Sequence, residues 1–372
     1  MERTLNILHI NGNYLFTALH QNMLLGLEQD GLRHTVFVPV FHPDNRVVEP
    51  LPNVHVCRCF RRLDRVFFHH KQKKIIRAAE REVNVGEFDC IHAYTLFTDG
   101  NAAMRLAQRY GKPFVVAVRG TDVDTFFRYM PHLRGLGVRI LRKAAAVFFL
   151  SETCRETVFG RYVPKRYHDE LLRKTHIIPN GIDDFWFQHP VQTQKKQPGT
   201  PLRLIYAGRI DRNKNIPTIQ KAMALLRQQG VETTLTVVGR PADQAEFEKI
   251  RQDPHTNCIP AQPKEKLIDL YRANELFVMP SFSETFGLVY AEAMSQGLPV
   301  VYSKGQGFDG QFLDGTVGYP ADAHSPASVA DAIAETVKHY ETIAPSCGSR
   351  AEKFRWERIC GRYTELYLAL TK

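Results

Sequence analysis

Glu284 and Glu292 stand on either side of a glycine, Gly287, in a segment that follows an apolar run and opens a predicted helix. Glycine lets the backbone approach a ligand closely. The N-terminus of the helix would carry free N–H groups and a charge of roughly +0.5, a combination that binds phosphate. Two carboxylates flanking that phosphate could accept hydrogen bonds from hydroxyl pairs, such as those of a sugar or a ribose. The alternative is a solvated surface helix, but the apolar neighbours of Glu292 favour a binding role.

A second cluster of chemistry-bearing residues is basic. Arg209 and Lys214 follow Gly208 in a loop directly after a predicted strand. Arginine offers a planar fork of donors to phosphate, and lysine offers a mobile point charge. Because hydrogen bonds to charged groups contribute roughly 1.5–3 kcal/mol each, the pair predicts a diphosphate site. A solvated loop is the alternative for these residues taken alone.

Both clusters lie in segments that resemble a known family. Residues 280–294 resemble the E-x7-E motif of retaining GT-B glycosyltransferases, in particular glycosyltransferase family 4. Residues 208–214 are similar to that family's G-R-x-x-x-x-K loop, and residues 297–301 to its G-x-P-V-V strand. The resemblance implies that Glu284 contacts the donor sugar and Glu292 the ribose hydroxyls. It also implies that the distal phosphate and the sugar are held by the backbone of Phe286, Gly287, Leu288 and Val289.

Four further positions enter through the same resemblance. Gly239 stands in a nucleotide-facing V-x-G, and the backbone at Ile259 stands where the family contacts the base. Gly12 follows the first strand, near the expected diphosphate. Arg119 replaces the histidine of the family's H-G-x-D turn, so it would act as a fixed cation near the donor sugar. The chain lacks the G-x-G-x-x-G fingerprint, which argues against a dehydrogenase.

The resemblance also implies a reaction: transfer from a UDP- or GDP-sugar to a glycan or lipid-linked acceptor, with retention of anomeric configuration. Cell-surface polysaccharide or glycolipid synthesis is the expected setting. Glu284, Arg209, Lys214 and Arg119 are the predicted catalytic residues. No metal or other cofactor is expected, since no Asp-x-Asp motif lies in a suitable loop. A sugar-nucleotide 2-epimerase or a phosphorylase of the same fold remains open, and a nucleic-acid-binding protein is the least favoured alternative.

The chain carries a net charge of +10, and part of the excess is local. The segment from Arg58 to Glu82 holds nine Lys or Arg residues against three Asp or Glu, interleaved with large apolar residues. That pattern is typical of a segment at an anionic membrane surface, where each cation contributes about 1 kcal/mol. A solvated helix packed on the first sheet is the alternative. No nucleic-acid partner is expected.

These residues need elements to position them, and the apolar runs predict two α/β domains. Strands are expected at 5–10, 35–40, 90–92, 114–118, 147–150 and 176–178, and then again at 202–206, 233–238, 276–278 and 299–302. Helical patterns lie between them, including 216–229, 264–273 and 290–296. Alternation of this kind predicts parallel sheets covered on both faces. We therefore expect two Rossmann-like, doubly wound domains of GT-B type facing a central cleft.

Composition supports this division and sets the domain boundaries. A chain of 372 residues exceeds what one hydrophobic core usually organises. The predicted parts are an acceptor domain at 1–187, a linker at 188–201, a nucleotide-sugar domain at 202–355 and a C-terminal helix at 356–372 that packs back on the first domain. No apolar run approaches the ~20 residues of a membrane span, and the N-terminus lacks a signal peptide's apolar stretch. The scattered cysteines are expected to be reduced thiols in a cytoplasmic protein.

Overall fold

The computed structural model describes residues 4–42, 46–191 and 197–371, and of Arg65 only the backbone. The chain forms two units. The first comprises Met1–Gly181 and Trp356–Lys372, and the second comprises Ile182–Arg355. The division thus falls after Gly181, whereas the sequence placed it after residue 187. The predicted linker 188–201 lies partly outside the described residues.

Each unit is built on a parallel sheet with the strand order of a doubly wound fold. In the first unit the order is β3-β2-β1-β4-β5-β6-β7. Its strands are β1 (Asn6–Ile10), β2 (Arg33–Val40), β3 (Val54–Arg58), β4 (Cys90–Ala93), β5 (Phe114–Val118), β6 (Ala146–Phe149) and β7 (Thr175–Ile177). In the second unit the order is β10-β9-β8-β11-β12-β13. Its strands are β8 (Leu202–Ala207), β9 (Thr233–Gly239), β10 (Thr256–Pro260), β11 (Leu276–Met279), β12 (Val300–Ser303) and β13 (Gly318–Ala321). The prediction of two doubly wound α/β domains is confirmed.

Helices connect these strands and cover the sheets. They are α1 (Leu19–Gln29), α2 (Phe68–Glu82), α3 (Thr98–Tyr110), α4 (Arg134–Lys143), α5 (Glu152–Tyr162), α6 (His168–Leu172), α7 (Phe185–Gln188), α8 (Ile216–Gln228), α9 (Gln244–Ile250), α10 (Lys264–Ala273), α11 (Leu288–Ser295), α12 (Pro326–Lys338), α13 (Tyr340–Ala351) and α14 (Trp356–Leu370). A π-helical turn lies at Asp122–Phe127, and 3-10 turns include Arg62–Arg65 and Arg212–Lys214. Among the described helices, none combines the length and apolarity that crossing a bilayer requires.

Three strands that the sequence reading missed, β3, β10 and β13, all lie at sheet edges. Central strands of a parallel sheet are buried on both faces and read as continuous apolar runs. The core strands β5 and β12 are buried along their whole length, whereas β10 is half-exposed throughout. Pro260 ends β10 and Pro320 lies within β13, as edge positions permit because a proline cannot donate to the ladder.

The C-terminal helix α14 is part of the first unit, where it packs against α1. Gly26 allows this approach, since a Cβ at that position would lie 2.6 Å from the Cys360 sulfur. The Thr364 hydroxyl donates to Asp30 at 2.8 Å. A histidine of β4, His92, is fully buried and its Nδ1 lies 2.5 Å from the Tyr367 hydroxyl. His92 therefore serves the core of the first unit.

Candidate functional site

The candidate site of the second unit lies where the strand order reverses, between β8 and β11. These strands pair in parallel, with Leu276 opposite Leu204, so their carboxyl ends meet at one edge of the sheet. Ligands of doubly wound sheets bind at such a switch point. The loop after β8 carries the predicted basic cluster, and the loop after β11 carries the predicted acidic segment.

The basic loop is shaped by two glycines. Gly208 has φ +149°, a value that side chains rarely adopt. Gly239, at the end of β9, touches it so closely that an added Cβ would lie 1.8 Å from the Gly208 carbonyl oxygen. Beyond Gly208, the Arg209 guanidinium contacts Asp211, with Nε at 3.1 Å, and remains two-thirds exposed. Arg209 is thus held at one end and open to an anion at the other.

Lys214 and Glu284 form the central contact of the site. The Lys214 Nζ donates to the Glu284 Oε2 at 2.6 Å, and both side chains are largely buried, at 16% and 13% exposure. The 3-10 turn that positions Lys214 is capped by the Asp211 side chain, which accepts from the Lys214 amide at 3.2 Å. The structure therefore brings two predicted catalytic residues, seventy positions apart in the chain, into direct contact.

Two asparagines lock the basic loop against the acidic loop. The Asn213 side chain donates to the Ser283 carbonyl at 2.8 Å and accepts from the Ser283 amide at 3.0 Å. Asn215, in a left-handed conformation, donates to the carbonyls of Pro280 and Ala323. The sequence reading did not assign these asparagines a role. Their position beside Lys214 was the available signal.

The loop after β12 completes the support of Glu284. The Glu284 amide donates to the Gln306 side chain, and the Glu284 carbonyl accepts from the Gly307 amide, both at 2.9 Å. A Cβ on Gly307 would lie 1.8 Å from the Thr285 carbonyl oxygen, so only glycine fits there. Backbone and side-chain contacts from two loops thus hold Glu284 in place.

The helix N-terminus predicted near Gly287 is present. Gly287 has φ +76° and precedes α11, which begins at Leu288, two residues before the predicted start. The first hydrogen bond in this turn runs from the Tyr290 amide to the Gly287 carbonyl at 3.0 Å. The amides of Leu288 and Val289 precede that bond, as expected for a helix start. They are the groups of this helix that could receive a phosphate.

Two residues predicted for backbone contacts have further roles in the fold. Phe286 buries its side chain, 5.7 Å between ring centroids from Phe354, while its amide approaches the Glu284 carboxylate at 3.4 Å. Ile259 lies on edge strand β10, where it pairs with Val238 beside the Gly239–Pro260 pair. Gly239 and Ile259 thus lie at the carboxyl ends of neighbouring strands of the sheet that carries the site.

Glu292 lies in the fifth position of α11, just over one turn from the helix start. Burial, and to a lesser extent Asp183, raise the pKa of its carboxyl to about 7, while Lys264 opposes both. Lys264 donates to Asp183 at 2.9 Å and lies 4.9 Å from the centre of the Phe185 ring. The sequence reading missed Asp183 and Lys264 as neighbours of Glu292.

In the first unit, Gly12 and Arg119 also lie after strands, β1 and β5 respectively. The Gly12 amide donates to Asp99 at 3.3 Å. The Arg119 guanidinium donates to Asn180 at 2.7 Å and to the Tyr94 carbonyl at 3.3 Å. These contacts are internal to the first unit and hold both residues at the carboxyl edge of its sheet.

Asp122 fixes the turn that contains Arg119. Its carboxylate accepts from the amides of Arg119, Leu96 and Phe97 at 2.9, 2.9 and 3.2 Å. Burial raises the pKa of this carboxyl to about 6, although the three amides oppose the shift.

The described residues contain no group of three or more His, Cys, Asp or Glu side chains arranged to hold a metal ion.

Comparison with known proteins identifies the family. Residues 21–184 match the model described as Glycosyltransferase Family 4, and residues 189–353 match that described as Glycosyl transferases group 1. The chain belongs to glycosyltransferase family 4. This glycosyltransferase is 27% identical over 322 residues to the D-inositol 3-phosphate glycosyltransferase of Pseudarthrobacter chlorophenolicus, covering 81% of this chain and 75% of the relative.

Solved structures agree on the fold. A sucrose-phosphate synthase from Thermosynechococcus elongatus superposes with a TM-score of 0.77 at 20% identity, covering 98% of this chain and 99% of the other. HepE of Anabaena, solved in complex with UDP and glucose, gives 0.67 at 17% identity, with coverage of 98% and 100%. The fold of this glycosyltransferase is of GT-B type, as the sequence motifs implied.

Proposed function

We propose that this glycosyltransferase transfers a sugar from a UDP- or GDP-sugar to a hydroxyl of a glycan or lipid-linked acceptor, with retention of configuration and without a metal. Cell-surface polysaccharide or glycolipid synthesis is the proposed setting. The observation that carries the proposal is the contact of 2.6 Å between Lys214 and Glu284 at the switch point of the second sheet. It places a cation for phosphate and a carboxylate for sugar hydroxyls beside the start of α11.

The arrangement suits a diphosphate leaving group. The bond from the anomeric carbon to the diphosphate breaks while the acceptor oxygen bonds to the same face of that carbon, and the hydroxyl proton passes to the diphosphate. Arg209, Lys214 and the first amides of α11 would stabilise the charge that develops on the phosphate oxygens. Preorganised donors of this kind usually contribute the largest part of catalysis. These cations could balance the diphosphate in place of a metal.

Donor binding also requires Lys214 to change partners. In the structure its ammonium is neutralised by Glu284. A diphosphate would compete for the same ammonium, so Glu284 would be released to accept hydrogen bonds from the sugar hydroxyls. Glu292, whose pKa is raised to about 7, would accept from the ribose hydroxyls in its ionised form. The UDP complex of Anabaena HepE makes UDP-sugars the first donors to test.

The test begins with donor binding and continues to transfer. Thermal-shift measurements with UDP- and GDP-sugars are expected to show stabilisation by one of them, because a ligand that binds the folded state raises its stability. Transfer is then followed by nucleotide release and by the anomeric configuration of the product, with and without EDTA. An inverted product, or loss of activity in EDTA, would contradict the proposed mechanism. Donor isomerisation without an acceptor would indicate an epimerase, and a requirement for inorganic phosphate would indicate a phosphorylase.

Variants link the activity to the site. Lys214→Ala and Glu284→Ala are each expected to lower kcat/KM at least 100-fold, the scale of a lost transition-state donor. Lys221→Ala, at an exposed position on α8, is the matched control. Circular dichroism checks that each variant is folded. Normal turnover in the Lys214 or Glu284 variant would remove that residue from the site.

The first unit, the predicted acceptor domain, has a surface suited to an anionic membrane. We propose that the enzyme works at the cytoplasmic face of such a membrane. Helix α2 itself packs on the first sheet through Ile75, Ala78 and Ala79. The turn before it presents Leu63 and Val66, each 78% exposed, and Phe67 at 66%. The membrane proposal therefore narrows from the whole segment to residues 61–67.

A buried carboxylate holds this turn in place. Asp64 is 8% exposed, accepts from the Arg61 amide at 2.6 Å and pairs with Lys74 of α2 at 2.8 Å. Fixing Asp64 inward leaves its neighbours outward, beside the exposed Arg61 and Arg62. Exposed apolar side chains rimmed by cations are the arrangement that inserts into an anionic interface.

Vesicle co-sedimentation tests this surface. The triple variant Leu63→Ser, Val66→Ser, Phe67→Ser is expected to bind phosphatidylglycerol vesicles at least tenfold more weakly, because each apolar side chain loses its transfer free energy. Leu313→Ser is the control, since Leu313 is 84% exposed and belongs to the second unit. Equal binding of the triple variant and the control would refute the membrane proposal.

A further inference from the structure

The first unit contains a basic cleft formed by α4, the end of α5 and α6. Its volume is about 560 Å³, within the roughly 300–1,000 Å³ of small-molecule sites. The cleft is lined by five cations and one carboxylate. The cations are Arg134, Arg139, Arg142, Lys143 and Arg166, and the carboxylate is Glu170.

The periodicity of α4 explains why its cations converge. Gly137, Ile140 and Leu141 are buried on one face of this helix. Gly137 packs so closely that an added Cβ would lie 2.7 Å from the Phe97 ring. Residues three and four apart share a helix face, so burying that face turns Arg139 and Arg142 toward the cleft. The packing of the first unit therefore dictates where these charges lie.

Two of the arginines are preorganised. The Arg142 Nε donates to Glu170 at 2.9 Å, and its guanidinium lies 4.0 Å from the centre of the Tyr167 ring. Arg134 donates to the Phe127 carbonyl at 2.7 Å and lies over the ring of Tyr162. Fixed guanidinium planes lose little entropy when they bind a planar or tetrahedral anion.

The other three cations of the cleft lack a carboxylate partner among the described residues. Arg139, Lys143 and Arg166 are exposed, and within the part of the chain that the structure describes none of them forms an ion pair with a carboxylate. Glu170 is thus the single acid of the cleft lining against five cations. A concave surface of predominantly positive charge concentrates anions.

Helix-end electrostatics account for only part of this arrangement. Arg142 and Lys143 lie in the last turn of α4, where cations interact favourably with the helix dipole. That explanation does not reach Arg139 in the middle of the helix or Arg166 on a separate segment. Cations from different elements converging on one cavity are the recognised pattern for a phosphate group, which arginine binds bidentately.

We propose that the basic cleft binds a phosphate-bearing ligand. The chemistry fits the phosphate of a soluble sugar phosphate and that of a lipid headgroup alike. Arg139 and Lys143 would supply the first contacts, and Arg142 would exchange part of its pairing with Glu170 for the phosphate. This assignment concerns the first unit and does not depend on sugar transfer.

Calorimetric titration of the full chain without a sugar donor tests the soluble source, with glucose 1-phosphate and inorganic pyrophosphate as probes. Co-sedimentation with phosphatidylcholine vesicles, with and without phosphatidylglycerol, tests the lipid source. The double variant Arg139→Gln, Lys143→Gln is expected to weaken binding of the source ligand at least tenfold, since it removes two charge-assisted contacts. The control, Arg33→Gln with Arg105→Gln, changes the net charge equally at exposed positions of the same unit.

Loss of soluble-probe binding in the double variant alone would assign a free phosphorylated ligand, and loss of vesicle binding alone would assign a headgroup. Either result supports the proposal that the basic cleft binds a phosphate group. The proposal is overturned if the double variant and the control bind every probe equally, or if the wild-type chain binds none. Thermal unfolding and UDP binding are measured on both variants. Unchanged values show that the fold and the donor site are intact, so a failure here is distinct from a failure of the proposed transfer activity.

Discussion

The first unit buries four histidines, and this makes its stability sensitive to mild acid. His9, His20, His34 and His92 are each at most 7% exposed. The rings of His9, His20 and His92 contact Tyr94, and the ring of His34 contacts His9. The His9 ring centroid lies 5.3 Å from that of His34 and 5.5 Å from that of His92. Burial lowers the pKa of His20 to about 3 and that of His34 to about 4, and it places the pKa values of His9 and His92 well below 6.5.

The direction in which the unfolding free energy changes with pH follows from proton binding. Below pH 6.5 the unfolded chain protonates these imidazoles, whereas the folded unit keeps them neutral. The stability is therefore complete above the unfolded pKa and is lost as the pH falls below it. Between pH 7.5 and 5.5 each buried histidine costs a little over about 1 kcal/mol, so the four together cost roughly 5 kcal/mol.

Two buried carboxyls act in the opposite direction. Burial raises the pKa of Asp99 to about 7 and that of Asp122 to about 6. In the folded unit both carboxyls bind a proton over the same pH range. This raises the free energy of unfolding by about 2 kcal/mol for Asp99 and about 1 kcal/mol for Asp122. The expected net loss of unfolding free energy in the first unit is therefore about 2–3 kcal/mol, a large fraction of a typical domain's stability.

The two tryptophans of the chain allow each unit to be observed alone, because Trp356 belongs to the first unit and Trp186 to the second. Urea unfolding of Trp186→Phe at pH 7.5 and 5.5, followed by fluorescence, reports the first unit. Trp356→Phe reports the second unit, where no described histidine is buried. There the raised pKa of Glu292, about 7, is expected to increase stability at the lower pH. The two units should thus respond to acid in opposite directions.

A single substitution decides whether the histidines are the cause. In the Trp186→Phe background, where Trp356 reports the first unit, His34→Phe should reduce the difference in unfolding free energy between the two pH values by about 1 kcal/mol. His132→Gln, at an exposed position, should leave that difference unchanged. The reasoning is refuted if the first unit is as stable at pH 5.5 as at pH 7.5, or if His34→Phe does not alter the difference.

Two further predictions concern the donor site. Gly239→Ala should weaken UDP binding at least tenfold, measured by calorimetry, because its Cβ would lie 1.8 Å from the Gly208 carbonyl oxygen and displace the basic loop; Gly348→Ala, where the nearest such contact is 4.0 Å away, should not. Glu284→Gln should tighten UDP binding about threefold or more while transfer falls, because the carboxylate that neutralises Lys214 at 2.6 Å is removed. Weaker UDP binding in that variant would contradict the competition between Glu284 and phosphate for Lys214.

Much of the fold could be predicted from local pattern. Helix α10 and strand β5 begin and end where the apolar periodicity placed them. Buried central strands and amphipathic helices show their burial in the apolar periodicity of their own residues. An edge strand such as β10 lacks a clear pattern, because its half-exposed positions accept polar residues and proline. The helix start at Leu288 was placed too late, since Gly287 ends the preceding loop by its positive φ rather than by any apolar signal.

What the sequence determined by itself about the site is the type of its groups: a basic loop, an acidic segment and the glycines between them. Only the tertiary structure decided which groups meet. The parallel pairing of β8 with β11 brings Lys214 to Glu284, and the neighbouring strand β9 brings Gly239 against Gly208. Contacts of this kind arise because parallel strands deliver their carboxyl ends to one edge after long connections. The spacing of residues along the sequence does not predict that convergence. Nor does it predict that the packing of α4 directs its cations toward the basic cleft.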